Sequence, residues 1–135
     1  MKRFSLLISI AAAVVWLLPV VGPFADRAGA SVITTGDVDP GGAATQPDPW
    51  AVGPYLHVGK FGSGTLNITD GGVVSNGYGY IGRESGSTGT ATIAGIGSQW
   101  NNLDYLNVGY SGSGTLNVTD GGVVSNTIGR IGTQF

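Results

Sequence analysis

GSGTLNITDGGVVSN at residues 62–76 returns as GSGTLNVTDGGVVSN at 112–126, with Ile68 replaced by Val118 as the one difference. The likeness extends outward from this phrase. LHVGKFGSGTLNITDGGVVSNGYGYIG (56–82) aligns without a gap on LNVGYSGSGTLNVTDGGVVSNTIGRIG (106–132), and 20 of the 27 positions are identical. A chain that writes one phrase twice at an advance of fifty residues is building a repeated object.

A shorter period lies inside the fifty. Gly64, Gly89 and Gly114 fall at steps of 25, as do Thr65, Thr90 and Thr115. Leu66, Ala91 and Leu116 follow in step, then Ile68, Ile93 and Val118, then Asn76, Asn101 and Asn126. TLNIT, TATIA and TLNVT alternate polar and apolar residues, which is the period of a half-buried strand. Gly, Asp-Gly-Gly and Ser-Gly bound each run as turn signals. No stretch after residue 31 has apolar residues at helical spacing.

The fold class expected is therefore all-β, a parallel β-helix or β-solenoid of coils about 25 residues long, arranged as a fifty-residue double repeat. Equivalent strands pair about 4.8 Å apart from coil to coil. Leu66, Ala91 and Leu116, with Ile68, Ile93 and Val118, are expected to stack inside the tube. Asn76, Asn101 and Asn126 are expected to form an amide ladder at one corner. Burying one Leu or Ile is worth about 1.5–3 kcal/mol, and one coil alone has nothing to bury it against. Trp100 falls where Ser75 and Ser125 sit at this period. The expectation is that it lies outside the coil or marks a bulge.

The solenoid is expected over 55–135. Before it, GDVDPGGAATQPDPW has no apolar period and holds three of the six prolines. Residues 31–54 read as a linker or N-terminal cap region, with Trp50 folding back over an exposed end. Residues 1–30 read as a signal-peptide helix: Lys2 and Arg3, the apolar run LLISIAAAVVWLL at 6–18, then Ala28-Gly29-Ala30. Cleavage is expected between Ala30 and Ser31. As a helix the apolar run covers about 20 Å, short of the ~30 Å of a hydrocarbon core. With the leader removed, no membrane span is expected. The destination is outside the cell, secreted or at its surface.

Residues 31–135 carry three basic side chains, Lys60, Arg83 and Arg130, against seven acidic ones, a net charge of −4. Nucleic-acid binding needs a basic stripe, and this composition excludes one. Cysteine is absent, so there is neither a disulfide framework nor a thiol lipid anchor.

The residues that could carry chemistry read as structural. His57, the one histidine, has Asn107 as its counterpart fifty residues on and reads as an outward strand residue. Asp70 and Asp120 each precede Gly-Gly, where an Asx-type turn is the expectation and paired-carboxylate catalysis is not. Asp37-Val38-Asp39-Pro40-Gly41-Gly42 opens like a calcium loop but lacks the third oxygen ligand and the closing glutamate. Asn67 and Asn117 stand in N-x-T sequons that the repeat duplicates. Tyr55, Tyr78, Tyr80, Tyr105, Tyr110 and Trp100 could line a sugar-binding face, although Tyr110 and Tyr80 do not recur. No catalytic, metal or cofactor-binding residue is expected.

GYSGSGTLNVTDGGVVSN, with LNV before it and Gly97, Ser98 and Trp100 giving G-S-x-W, resembles the type V secretion/PEP-CTERM-associated repeat. The resemblance covers about 55–135. It implies a surface-exposed β-solenoid of the kind found in adhesins and autotransporter passengers, with no catalytic residues to carry over. A barrel and a sorting helix, which end many such proteins, are not found in this chain. The chain stops midway into the second fifty-residue unit, so a fragment of a longer array is expected. The non-enzymatic reading has an alternative, a carbohydrate-binding or polysaccharide-degrading β-helix whose site lies in further coils. The expected partners are an extracellular surface or a glycan, and end-to-end self-association through unpaired strands.

Overall fold

A computed structural model of the chain describes residues 29–132. The signal-peptide helix falls outside them, apart from the expected cleavage point, where Ser31 is the first residue of the first strand. Four short strands come first: β1 (Ser31–Gly36), β2 (Val38–Asp39), β3 (Ala44–Thr45) and β4 (Trp50–Ala51). The first coil is β5 (Tyr55–Val58), β6 (Ser63–Thr69) and β7 (Val73–Asn76). The second is β8 (Tyr78–Ile81), β9 (Thr88–Ala94) and β10 (Gln99–Asn102). The third is β11 (Tyr105–Val108), β12 (Ser113–Thr119) and β13 (Val123–Ser125), and β14 (Ile128–Ile131) begins a fourth. No helix occurs among the described residues, so none is long and apolar enough to cross a membrane.

Each coil gives one strand to each of three sheets, which run β12-β9-β6-β1-β3, β13-β10-β7-β4 and β14-β11-β8-β5-β2. All pairs between coils are parallel, and the fold is a β-solenoid. The corners dictate this path. Gly89 lies so close to the preceding coil that a Cβ there would strike the Val58 carbonyl. In T-D-G-G, Gly72 N–H donates to Thr69 O at 2.9 Å across Asp70 (φ 54°) and Gly71 (φ 88°). Two central residues at positive φ define a type I′ turn. Asp70 and Asp120 therefore serve as residues that tolerate the left-handed region.

The advance per coil differs between walls. On the β6-β9-β12 wall, Leu66 pairs with Ala91 and Ala91 with Leu116, 25 residues each time. On the β7-β10-β13 wall, Val74 pairs with Trp100 and Trp100 with Val124, advances of 26 and 24. On the third wall, Leu56 pairs with Gly79, Gly79 with Leu106 and Leu106 with Gly129, advances of 23, 27 and 23. Every wall returns to register after fifty residues, which is why the sequence repeats most faithfully at that distance.

The Leu66–Ala91–Leu116 and Ile68–Ile93–Val118 ladders form as direct cross-strand pairs. Two readings on the second wall are corrected. Trp100 is fully buried, because the 26-residue advance sets it over Val74 and not over Ser75. Space for its indole comes from Gly79, where a Cβ would lie 3.1 Å from Trp100 Cζ2 and 2.9 Å from Leu106 Cδ1. The second coil thus has Gly79 and Ala91 where its neighbours have leucines, and Trp100 where they have valines. Interiors at near-crystalline density require such trades of volume between layers.

The same shift breaks the expected asparagine ladder. Asn76 pairs with Asn102, and its Nδ2 donates to Asn102 Oδ1 at 2.8 Å. Asn76 Oδ1 in turn accepts from Trp100 Nε1 at 2.6 Å. Asn101 instead lies between Ser75 and Ser125, facing out, and accepts from Ser125 Oγ at 2.8 Å. Asn126 lines the open end of the third coil.

Of the two readings of residues 31–54, linker or N-terminal cap, the strands pairing with the first coil fit the cap. β1 runs antiparallel along β6 and puts Val32 and Thr34 over Ile68 and Leu66. β3 then pairs with β1, and Gln46 Nε2 donates to Thr34 Oγ1 at 2.8 Å. Two of the three acidic residues of this region, Asp37 and Asp48, satisfy backbone groups of the first coil. Asp37 Oδ2 accepts from Gly62 N at 2.6 Å and Phe61 N at 2.5 Å, and Asp48 Oδ1 accepts from Val73 N at 2.6 Å. Trp50 sits over Val74 by direct pairing and is 8% exposed. It stands fifty residues before Trp100, and β4 alone of the cap strands continues the parallel stacking of the coils, since β1 and β2 pair antiparallel.

Candidate functional site

The outer face of the third wall is aromatic. Tyr55, Tyr78 and Tyr105 stack in a column with ring centroids 5.1 and 5.7 Å apart and planes within 23° and 14°. Arg130 closes the far end, its guanidinium carbon 4.3 Å from the Tyr105 centroid. The 23-residue first coil sets Tyr55 over Tyr78, whereas an advance of 25 would have set it over Tyr80. Beside this column runs a second one, in which His57 stacks on Tyr80 at 5.3 Å. Arg83 lies 5.3 Å from the Tyr80 centroid, and Tyr110 meets Tyr80 edge-on at 5.8 Å. Stacked aromatic pairs of this kind add about 0.5–1.5 kcal/mol each beyond the area they bury.

Stacking decides what the face can recognise. Sugars pack their C–H faces on the faces of rings. In the column, each inner tyrosine face is covered by the next ring, so the wall presents ring edges. The expected sugar-binding face is therefore not the row as a whole. Trp100 is buried in the core and takes no part in it.

One ring face is different. Tyr55 is the first ring of its column and is 48% exposed. β5 pairs on its free side only with the two residues of β2, through Val38–Val58 and Asp39–His57. Past them the cap turns away, leaving a cleft of about 330 Å³ between Tyr55, Asp39-Pro40 and Val52-Gly53-Pro54. Lys60 Nζ donates to Asp39 Oδ2 at 2.6 Å at its rim, and this bond holds the carboxyl below its ordinary value.

His57 forms the cleft's inner side. It faces outward as expected, yet it is only 6% exposed because Tyr80, Arg83 and Asp39 surround it. Burial, then the positive charges of Arg83 and Lys60, push its pKa down, so the ring is neutral at pH 7. Arg83 Nη1 lies 3.2 Å from His57 Nε2. A guanidinium only donates, so Nε2 is the acceptor and the ring proton sits on Nδ1. Nδ1 is buried without a hydrogen bond, 3.8 Å from Asp39 Oδ2.

The other acidic candidates lie apart from this cleft. Asp70 and Asp120 are exposed at turns, and no group of three or more His, Asp and Glu poised to hold a metal occurs among the described residues. Asn67 and Asn117 lie on the outer row of the first wall, flanking Thr92. No family model, no curated protein and no solved structure matches this chain.

Proposed function

We propose that the chain is a segment of an exported, non-enzymatic β-solenoid rod that acts at the cell surface in the manner of an adhesin or autotransporter passenger. The observation that carries this reading is the return of all three walls to register every fifty residues. A unit that closes its register on every wall can be added without limit, giving stiff length and a repeated outer surface. The turn-rich, cysteine-free composition and the apolar leader ending at Ala30 agree with export. The resemblance to the type V secretion/PEP-CTERM-associated repeat points the same way.

The test is the chain's own processing. Expressed from its native gene, it is expected in the extracellular or surface-shaved fraction with Ser31 as the first residue by mass spectrometry. Recovery from the cytoplasm with residues 1–30 intact would overturn the reading.

A further inference from the structure

We propose that the cleft between the cap and the first coil binds a single neutral sugar residue, with Tyr55 as the stacking floor and the Asp39–Lys60 pair as the hydroxyl-recognising rim. The cleft's chemistry is distinct from that of the rest of the wall. Tyr78 stacks on Tyr55 from the second coil, while Tyr55 itself is 48% exposed and lines the cavity. Its volume of about 330 Å³ lies at the small end of ligand sites, which run from about 300 to 1,000 Å³. Pro40, Pro54 and Val52 supply apolar walls. Proline rings and a tyrosine face together accept a C–H-rich ring.

The polar groups select among ligands of that shape. Asp39 Oδ2 is held by Lys60 Nζ at 2.6 Å, yet half of the carboxylate side chain remains exposed, at 51%. An ammonium carries three donors and an ionised carboxylate two acceptor oxygens, so each retains capacity beyond their mutual bond. Side by side they offer a strong acceptor and a strong donor at about one hydrogen-bond length, which suits two adjacent hydroxyls on one ring. The pair is neutral in sum and His57 is uncharged, so nothing in the cleft favours a ligand with net charge. A planar aromatic would use the floor but leave the rim unsatisfied.

The cleft arises where a non-repeating cap meets a repeating coil. Tyr105, the counterpart of Tyr55 fifty residues on, has Arg130 over its outer face and no cap beside it. The site therefore occurs once, at the cap end, however long the rod. This proposal is separate from the rod reading, since a chain that binds no sugar can still be an exported solenoid.

The experiment is an NMR titration of the mature chain, residues 31–135, with the methyl glycosides of glucose, galactose and mannose. Glucuronate and indole serve as charged and flat-aromatic probes. At least one methyl glycoside is expected to shift the Tyr55 and His57 ring signals saturably. Tyr55→Ala should weaken it at least tenfold and Lys60→Met several-fold. Tyr105→Ala removes a ring from the same column away from the cleft and should leave the affinity unchanged. Tyr55→Phe keeps the face and should also leave it within twofold. No saturable shift with any of the three glycosides would overturn the proposal. So would equal losses in Tyr55→Ala and Tyr105→Ala, or tighter binding of glucuronate or indole.

Discussion

The phrase at 62–76 and the phrase at 112–126 differ at one position, yet they live in different surroundings. Ile68 is fully buried, while Val118 at the same place in the repeat is 44% exposed. Leu66 is fully buried and Leu116 only partly; Asn76 is 3% exposed and Asn126 lies open. The first phrase has the cap on one side and the second coil on the other. Among the described residues, the second phrase has a complete coil on one side only, and a cavity of about 300 Å³ lined by Leu106, Val108, Leu116 and Val124 opens beneath it. Burial therefore belongs to the stack and not to the phrase, and stability should be read as a sum of coil-to-coil interfaces.

The comparison is broken most violently from the middle. Ile93 lies between Ile68 and Val118 in one ladder, fully buried. Ile93→Asp sets an unpaired carboxylate between two interfaces and should unfold the chain, with loss of its β-type circular dichroism. Val118→Asp places the same charge in the same ladder at the open coil, where water reaches it. It should cost about 1 kcal/mol or less by urea denaturation. Equal costs at the two positions would show that stability is not distributed by interface.

Trp100 gives the next effect. Removing it opens the layer that Gly79 leaves room for, and it strands the Asn76 carbonyl oxygen, which accepts from the indole N–H. Trp100→Ala should cost about 3–5 kcal/mol. Gly79→Ala attacks the same fit from the other side and should cost about 1–3 kcal/mol through overpacking. If the tryptophan lay outside the coil, as a uniform 25-residue period implies, both changes would be nearly silent.

That contrast shows what could be read from the residues alone. The ladders on the β6-β9-β12 wall were legible because its advance is 25 residues at both steps, so linear spacing equals spatial stacking. The other walls hide their partners. Corners of different length shift Trp100 onto Val74, Asn102 onto Asn76 and Tyr78 onto Tyr55, and no single period captures all three. The sequence leaves 31–54 open between linker and cap because three of its four strands are two residues long and show no alternation. A Trp50–Trp100 spacing of fifty was the signal that could have revealed it. The cleft was beyond reach, since Asp39 and His57 meet only through antiparallel pairing between β2 and β5.

The smallest expected effect separates the two ends by pH. His57 belongs to the capped end, and Asn107, its counterpart, has no proton to gain. The folded state holds the His57 pKa below its ordinary value of 6.5, through burial first and then the Arg83 and Lys60 charges. Below 6.5 the unfolded chain therefore binds a proton that the folded chain resists, so stability is full above that pH and falls as the medium is acidified. The urea midpoint of the native sequence should decline between pH 7.5 and 5.5. His57→Asn, which copies the repeat's own residue, should flatten the profile in that window. Both chains should then lose stability together below about pH 3.8, where Asp37 of the unfolded chain takes up a proton that the folded chain, with Asp37 held low by the Gly62 and Phe61 amides, resists. A native midpoint that does not fall between pH 7.5 and 5.5, or one that falls equally in His57→Asn, would mean the capped end carries no proton-linked stability of its own. The two copies of the phrase would then differ in packing alone.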